Sequence, residues 1–338
     1  MTIQENVSLK PYHTFGIDVF ARYFTSFRSL DELQEILSNH PQTKNYPLIL
    51  GGGSNILFTK NFDGLVLKNE IGGIKLIAED EAFIYVQAGG GVNWHRFVLY
   101  CIEHNYAGVE NLSLIPGSVG ASPMQNIGAY GVELKDVFHQ LEAYHVYEKN
   151  VRVFSLDECA FGYRESVFKR QYKNQFVILN VTYKLRKKPM FNASYGAIGQ
   201  ELEKMGVQEL SIKAISDAVI HIRTSKLPNP AQMGNAGSFF KNPAISKHQL
   251  HKLEQSFANI PYYPVNDECV KVPAGWLIEQ CGWKGYRIGD AGCYSKQALV
   301  LVNYGNATGN EIYQLSEAII SSVEKKFGIC LEREVNIV

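Results

Sequence analysis

The chain has 338 residues, with 33 basic and 33 acidic side chains and a formal net charge of zero. Two or three domains are expected at this length, with ample sequence for a large core. The balanced charge argues against a nucleic-acid or anionic-membrane surface, which needs a basic excess. Met1 to Phe15 is polar and broken by Pro11, unlike a signal peptide, and no apolar run is long enough to span a bilayer, so a cytoplasmic protein is expected. Six cysteines at 101, 159, 269, 281, 293 and 330 form no C-x-x-C pair and read as buried thiols. His248 and His251 read as a solvated helix face.

Taken in order, the chain alternates strand and helix signals. Ser29-x-x-Glu32 is a capping box before an apolar stripe of Leu30, Leu33, Ile36 and Leu37. Pro47 to Leu50 is a short strand running into Gly51-Gly-Gly-Ser-Asn55. Such a turn presents backbone donors and a hydroxyl to a phosphate or a ring. Residues 64–67, 74–78 and 83–87 read as strands, the last two joined across Glu79-Asp-Glu81. After Ala88-Gly-Gly-Gly91, a helix carries Trp94, Phe97, Val98, Cys101 and Ile102 on one face, with His95 in a structural role.

Ile115 to Gly131 reads I-P-G-S-V-G-A-S-P-M-Q-N-I-G-A-Y-G, with four glycines and no charged side chain. It lacks the G-K-[ST] of a Walker loop and does not spell G-x-G-x-x-G. Two readings stand on composition: a cradle of neutral donors for a diphosphate, or a glycine-rich turn between strands.

Residues 140–147, 151–154 and 176–185 continue the strand pattern, and Ser155-x-x-Glu158 caps a turn leading to Phe161-Gly-Tyr-Arg-Glu-Ser166. Many strands with few helices between them indicate an α+β fold with antiparallel pairing. Arg186 to Pro189 looks like a boundary, and Phe191 to Gly199 reads as a polar loop. Helices are expected at 211–223, 246–255 and 274–280, and a buried strand at 298–302. Leu227 to Pro243 reads as irregular throughout, with Gly237-Ser238, two Phe, Lys241 and Asn242. Thr308-x-x-Glu311 opens a helix that Gly328 stops. The last ten residues alternate as a strand, with Glu332 and Glu334 on one face and Leu331, Arg333 and Val335 on the other. Two carboxylates on one strand face are either a solvated edge or a functional acid.

The glycine loop Ile115 to Gly131, Tyr163-Arg-Glu-Ser166, Gly234-Asn-Ala-Gly-Ser-Phe-Phe-Lys-Asn-Pro243 and Leu331-Glu-Arg-Glu-Val335 together resemble the UDP-N-acetylenolpyruvoylglucosamine reductase (MurB) family. The likeness runs from Thr14-Phe-Gly16 to the final strand, and Tyr195-Gly196 resembles the tyrosine loop of its type I subgroup. It implies an FAD-binding fold of the vanillyl-alcohol-oxidase (PCMH) type in two subdomains, with an α+β substrate-binding domain. The implied boundaries are 1–62 for the first FAD subdomain, completed by 328–338; 63–226 for the second; and 227–327 for the UDP-sugar. It also implies non-covalent FAD, NADPH as hydride donor, and reduction of UDP-N-acetylglucosamine-enolpyruvate to UDP-N-acetylmuramate. NADPH and the UDP-sugar are expected to use one cleft in turn, in a monomer.

Residue roles follow from the same resemblance. Ser238 matches the proton donor to C2 of the enol intermediate, and Arg164 and Glu334 match the pair that polarises the substrate carboxylate and stabilises the enolate. A guanidinium fork suits that carboxylate, and a Glu kept protonated by burial can donate to it. FAD contacts are expected from Gly51, Gly52, Gly53, Ser54 and Asn55, from Ile115, Pro116, Gly117, Ser118, Gly120, Ser122, Gln125, Asn126, Ile127 and Gly128, and from Tyr163. Tyr195, Lys226, Asn242, Tyr263 and Gln297 match substrate contacts. Lys271 and Arg223 are weaker candidates, each with a solvated helix charge as its alternative reading. Glu165 stands where Asp is frequent, Ala121 where some relatives carry Ser, and Asn336 where Arg is frequent. A covalent-FAD alcohol oxidase is the alternative on the same fold.

Overall fold

The computed structural model describes residues 2–39, 47–194 and 197–338. In chain order it contains β1 (Gln4–Ser8), β2 (Phe20–Phe27), α1 (Leu30–Asn39), β3 (Leu48–Leu50), β4 (Ile56–Leu57), β5 (Phe62–Asn69), β6 (Ile74–Glu79), β7 (Phe83–Gly89) and α2 (Trp94–Glu103). The central part holds β8 (Gly128–Ala129), β9 (Val132–Glu133), β10 (Phe138–His145), β11 (Asn150–Ser155), β12 (Phe176–Arg186), α3 (Ile198–Lys204) and α4 (Ile212–Lys226). The rest comprises β13 (Gly234–Ser238), β14 (Ala244–Ser246), α5 (Lys247–Glu254), β15 (Tyr263–Pro264), β16 (Cys269–Lys271), α6 (Ala274–Gln280), β17 (Arg287–Ile288), β18 (Ala291–Cys293), β19 (Val300–Asn303), α7 (Gly309–Phe327) and β20 (Asn336–Ile337).

The chain divides into two compact units. The first comprises residues 1–7, 21–53 and 63–225; the second comprises 8–20, 54–62 and 226–338.

Within the first unit, β6, β7, β10, β11 and β12 form an antiparallel sheet in the order β11-β10-β12-β7-β6. One core of this unit packs α2 on that sheet: Trp94, Phe97, Val98 and Cys101 meet Val181, Tyr183 and Leu185. The Phe97 and Tyr183 rings lie 4.4 Å apart, and the Trp94 indole N–H is satisfied by the Leu112 carbonyl at 2.8 Å. Asn93 caps α2 by accepting from the Arg96 N–H at 3.0 Å. A second core joins α1 (Leu33, Ile36) to Leu65 and Leu67 of β5 and to Val177 and Leu179 of β12.

The expected caps are present, with one variation. The Ser29 hydroxyl accepts from the Glu32 N–H at 3.2 Å, but the Glu32 carboxylate takes the Arg28 N–H at 2.6 Å. Two elements stand where the sequence reads as loop or irregular. Residues 198–204 form α3, whose Ile198 and Leu202 pack on Ile215 and Val219 of α4. Within 227–243, expected as irregular, residues 234–238 form β13.

In the second unit, β13-β19-β18-β17 form one antiparallel sheet and β14-β16-β15 another. Helix α7 packs its buried Ile312, Leu315, Ile319 and Val323 against β18, β19 and α6. Thr308 and Glu311 form a reciprocal capping box, and Gly328 ends the helix at φ +64°. The terminal segment pairs β20 in parallel with β4. Its regular strand is only two residues long, less than the expected alternation over ten. All six cysteines are free; Cys101, Cys159 and Cys293 are buried, but Cys330 is exposed, against the expectation of six buried thiols.

Candidate active site

In the first unit the glycines of the candidate cradle exist for main-chain proximity. A Cβ on Gly52 would lie 2.6 Å from Gly117 Cα, and one on Gly120 would lie 2.9 Å from the Gly90 carbonyl oxygen. Ties of 3.0 Å from the Trp94 N–H to Gly117 O, 2.8 Å from the Val119 N–H to Val92 O and 2.9 Å from the Gly120 N–H to Gly90 O hold the loop down. The second glycine run, 88–91, is thus a platform for the loop. Gly53 at φ +62° and Gly117 at φ +124° take backbone conformations that other residues rarely adopt.

Ser118 Oγ is buried without a hydrogen-bond partner among the described residues. Buried hydroxyls are ordinarily bonded. With the glycine packing and the neutral donors, this orphan hydroxyl fits a site for a bound diphosphate. FAD therefore fits the residues present. Lys68 adds what the sequence reading missed. Its ammonium donates to the Gly51 carbonyl from β5, whose Lys68 pairs with Leu50 of β3. Burial pulls the Lys68 ammonium below the ordinary lysine value, partly offset by Glu70. The cradle has no cation within its own loops, yet a neighbouring strand supplies one behind it.

Other loop residues serve the protein first. Ser122 Oγ donates to Val119 O at 2.7 Å and meets the Tyr183 hydroxyl at 3.1 Å. The buried Asn126 amide donates to Glu133 at 3.1 Å and Gly162 O at 3.0 Å, and accepts from the Lys135 N–H at 3.0 Å. That uses both amide donors and leaves one lone pair on Oδ1. His95 is structural, accepting from the Leu114 N–H at 3.0 Å.

Arg164 sits at φ +56° in the Tyr-Arg-Glu-Ser turn. Its guanidinium donates to Gly128 O at 2.7 Å and Asn126 O at 3.5 Å, with the Tyr163 ring centroid 5.4 Å away. Ser166 Oγ fastens the same turn to Met124 O at 2.7 Å. The turn and the glycine loop thus form one construction in which Arg164 is fixed by loop carbonyls. Glu165 pairs with exposed Arg170 at 3.1 Å, a solvent-screened contact. Arg223 is not a solvated helix charge. It is largely buried, bonded to the Tyr130 hydroxyl, with its Nε lacking an acceptor; burial lowers its pKa and Tyr130 partly offsets this.

The second unit brings Ser238 and Glu334 together. Ser238 ends β13 opposite Val300, after an irregularity in which Gly237 takes φ +69°. The Gly237 N–H is held by Asn235 Oδ1 at 3.0 Å. The terminal segment then runs along the residues after Ser238. The Glu334 N–H donates to Phe239 O at 2.8 Å, the Lys241 N–H donates to Glu332 O at 2.9 Å, and Phe240 bridges Arg333. Asn55 Nδ2 donates to Glu334 O at 3.3 Å, and Asn55 O accepts from the Asn336 N–H at 3.1 Å. Asn55 therefore secures the segment carrying Glu334.

Asn242 and Gln297 meet at the start of α6. Asn242 Oδ1 accepts from the Ala274 N–H at 2.9 Å, while Gln297 Oε1 lies 3.0 Å from where a Gly275 Cβ would stand. Tyr263 is 50 % exposed on β15, and Lys226 is exposed at the end of α4. Tyr195 lies outside the described residues. Among the described residues, no helix is long and apolar enough to cross a membrane.

Residues 229–338 match the family model described as UDP-N-acetylenolpyruvoylglucosamine reductase, C-terminal domain, and residues 21–156 match an FAD binding domain. The chain is 52 % identical over 338 residues to the UDP-N-acetylenolpyruvoylglucosamine reductase of Amoebophilus asiaticus, covering 100 % of both. It is 49 % identical to that of Flavobacterium johnsoniae, again over 100 % of both, and 44 % identical to that of Bacteroides fragilis, over 99 % of this chain and 100 % of the relative. The crystal structure of the Thermus caldophilus reductase superposes with a TM-score of 0.67 at 22 % identity over 99 % of both chains, a likeness of fold. The fold is accordingly α+β with the FAD-binding architecture of the vanillyl-alcohol-oxidase type.

Proposed function

The chain belongs to the UDP-N-acetylenolpyruvoylglucosamine reductase family, and from that premise we propose which of its residues carry the reaction. It reduces UDP-N-acetylglucosamine-enolpyruvate to UDP-N-acetylmuramate at the expense of NADPH, in peptidoglycan precursor synthesis. FAD, when bound, would supply the hydride relay between NADPH and the enolpyruvyl group.

Addition across the enolpyruvyl double bond needs a proton as well as a hydride. Ser238 gives that proton to C2. A serine hydroxyl is a weak acid, so it serves only when held against a strongly basic enolate carbon. Arg164 binds the substrate carboxylate, which gains charge as hydride arrives. Glu334 stabilises the same enolate. The observation that supports the pairing of Ser238 with Glu334 is the 2.8 Å bond from the Glu334 N–H to Phe239 O.

The diphosphate of FAD rests on Gly51 to Asn55 and on the neutral donors of 115–128, with Ser118 Oγ as a donor. Lys226, Asn242, Tyr263 and Gln297, with Tyr195, hold the UDP-sugar in the part from 227 to 327. NADPH and the sugar nucleotide use one cleft in turn, and the protein acts as a cytoplasmic monomer. An anaerobic titration tests the reading. NADPH is expected to bleach the flavin absorbance, and UDP-N-acetylglucosamine-enolpyruvate to restore it at once. A flavin that stays oxidised with NADPH, or stays bleached with the enolpyruvyl compound, contradicts it. Acid precipitation should release the flavin; colour held in the pellet favours the covalent oxidase.

A further inference from the structure

The segment carrying Glu334 has little regular strand pairing. Its strand proper is Asn336–Ile337; before it, among the described residues, stands one isolated bridge, Phe240 to Arg333, with the Glu334 N–H to Phe239 O and Lys241 N–H to Glu332 O bonds on either side. A slip of one residue in an extended chain exchanges the two faces. Glu334 would then turn to the side that Arg333 now occupies. Main-chain bonds at Glu332, Glu334 and Asn336 set this register, and side-chain ties beside Glu334 reinforce it.

Two ion pairs flank the position. Lys241 Nζ lies 2.6 Å from Glu332 Oε1, and its side chain is only 8 % exposed. On the next residue, Arg333 Nε donates to Ser316 Oγ at 2.8 Å and its Nη2 to Glu317 Oε1 at 2.5 Å. The Arg333 guanidinium lies 4.6 Å from the Tyr313 ring centroid, so three residues of α7 grip one side chain. Ser316 is itself buried and bonded to Tyr313 O at 2.6 Å, which makes it a fixed post. Consecutive side chains of an extended segment leave on opposite sides. With Arg333 committed to α7, Glu334 is turned away from that helix.

We propose that Arg333 is a positioning residue for the reductive step: its grip on Ser316 and Glu317 of α7 locks the terminal segment in the register that presents Glu334, with the Lys241–Glu332 pair as a second brace. This rests on the reading of Glu334 as the enolate-stabilising acid. Arg333 touches neither reactant and acts through its neighbour. Its loss therefore affects the half-reaction that uses Glu334 and spares the other.

The test follows both half-reactions of the holoenzyme by anaerobic stopped flow. In Arg333→Met, bleaching by NADPH and the FAD content are expected to stay as in the parent. Reoxidation by the enolpyruvyl substrate is expected to slow by about 10- to 100-fold, the scale of a misplacement near 1 Å. Arg333→Lys should recover part of the rate, and the exchanged pair Arg333→Glu with Glu317→Arg should exceed Arg333→Glu alone. The proposal is overturned if reoxidation is unchanged in Arg333→Met, or if both half-reactions and FAD content fall together. Glu334→Gln separates the two levels. If it reoxidises normally, the reading of Glu334 fails; if it is slow while Arg333→Met is normal, only the positioning role fails.

Discussion

Gly52 and Gly237 both lie in glycine-rich stretches of the sequence and do different work. At Gly52 main chain packs on main chain, and an added Cβ has only the Gly117 backbone to displace, at 2.6 Å. At Gly237 an added Cβ meets nothing within 4 Å, but φ is +69°. Gly52, like Gly234 against Phe15 O, uses its missing Cβ for closeness, whereas Gly237 serves a bend that turns the chain at Ser238. A cofactor seat benefits from rigidity, whereas a reacting hydroxyl must be aimed.

Substitutions can break or sharpen this contrast. Gly52→Ala forces two backbones apart and should cost about 1–3 kcal/mol by overpacking. We expect a lower unfolding midpoint in a thermal melt and loss of FAD on gel filtration; retained flavin with an unchanged midpoint would sink the closeness argument. Gly237→Ala has room and carries only the left-handed backbone penalty, about 1–2 kcal/mol. It should keep its flavin and slow reoxidation by the enolpyruvyl substrate. If it loses FAD as readily as Gly52→Ala, the two glycine regions are not distinct.

The smallest effect lies at an exposed turn outside both regions. Hydrogen bonds from the Ser155 N–H, from Arg152 and from the Ser155 hydroxyl lower the Glu158 carboxyl from 4.5 to about 2. A depressed carboxyl pKa adds stability above the unfolded value and loses it as pH falls through the folded one. The Glu158 contribution is therefore present above about pH 4.5 and fades towards pH 2. It is small, because the pair with Arg152 is solvent-screened. Melts of Glu158→Gln and the parent should converge at the acid end; a gap that widens there would reverse the sign.

Local chemistry made much of the fold legible. Helix α7 follows from Thr308, Glu311, Gly328 and a stripe of four apolar residues, and α2 from its Trp94-to-Cys101 face. Strand β13 was not legible, because Gly-Asn-Ala-Gly has no strand preference. It forms because Gly234 fits against Phe15 O and its partner β19 is fully buried. Helix α3 is seven residues long, too short for periodicity to declare, and its stability comes from α4.

In the candidate site, the motifs named the residues but not their supports. Lys68 reaches Gly51 only through the pairing of β3 with β5, and Arg333 reaches α7 only through the tertiary fold. Arg223 has the sequence context of a surface charge, and only packing reveals that it is buried. Glycine-loop reasoning correctly excluded a lysine within the loop itself, and could not see one arriving from a neighbouring strand.

The central claim is that the glycine-built seat holds the cofactor while Ser238 supplies the proton. It is tested most directly by single-turnover kinetics of Ser238→Ala under anaerobic conditions. The account expects full FAD occupancy, bleaching by NADPH at the parent rate, and reoxidation by the enolpyruvyl substrate slowed by about 100-fold or more. Equal slowing of both half-reactions, or reoxidation at the parent rate, would contradict it.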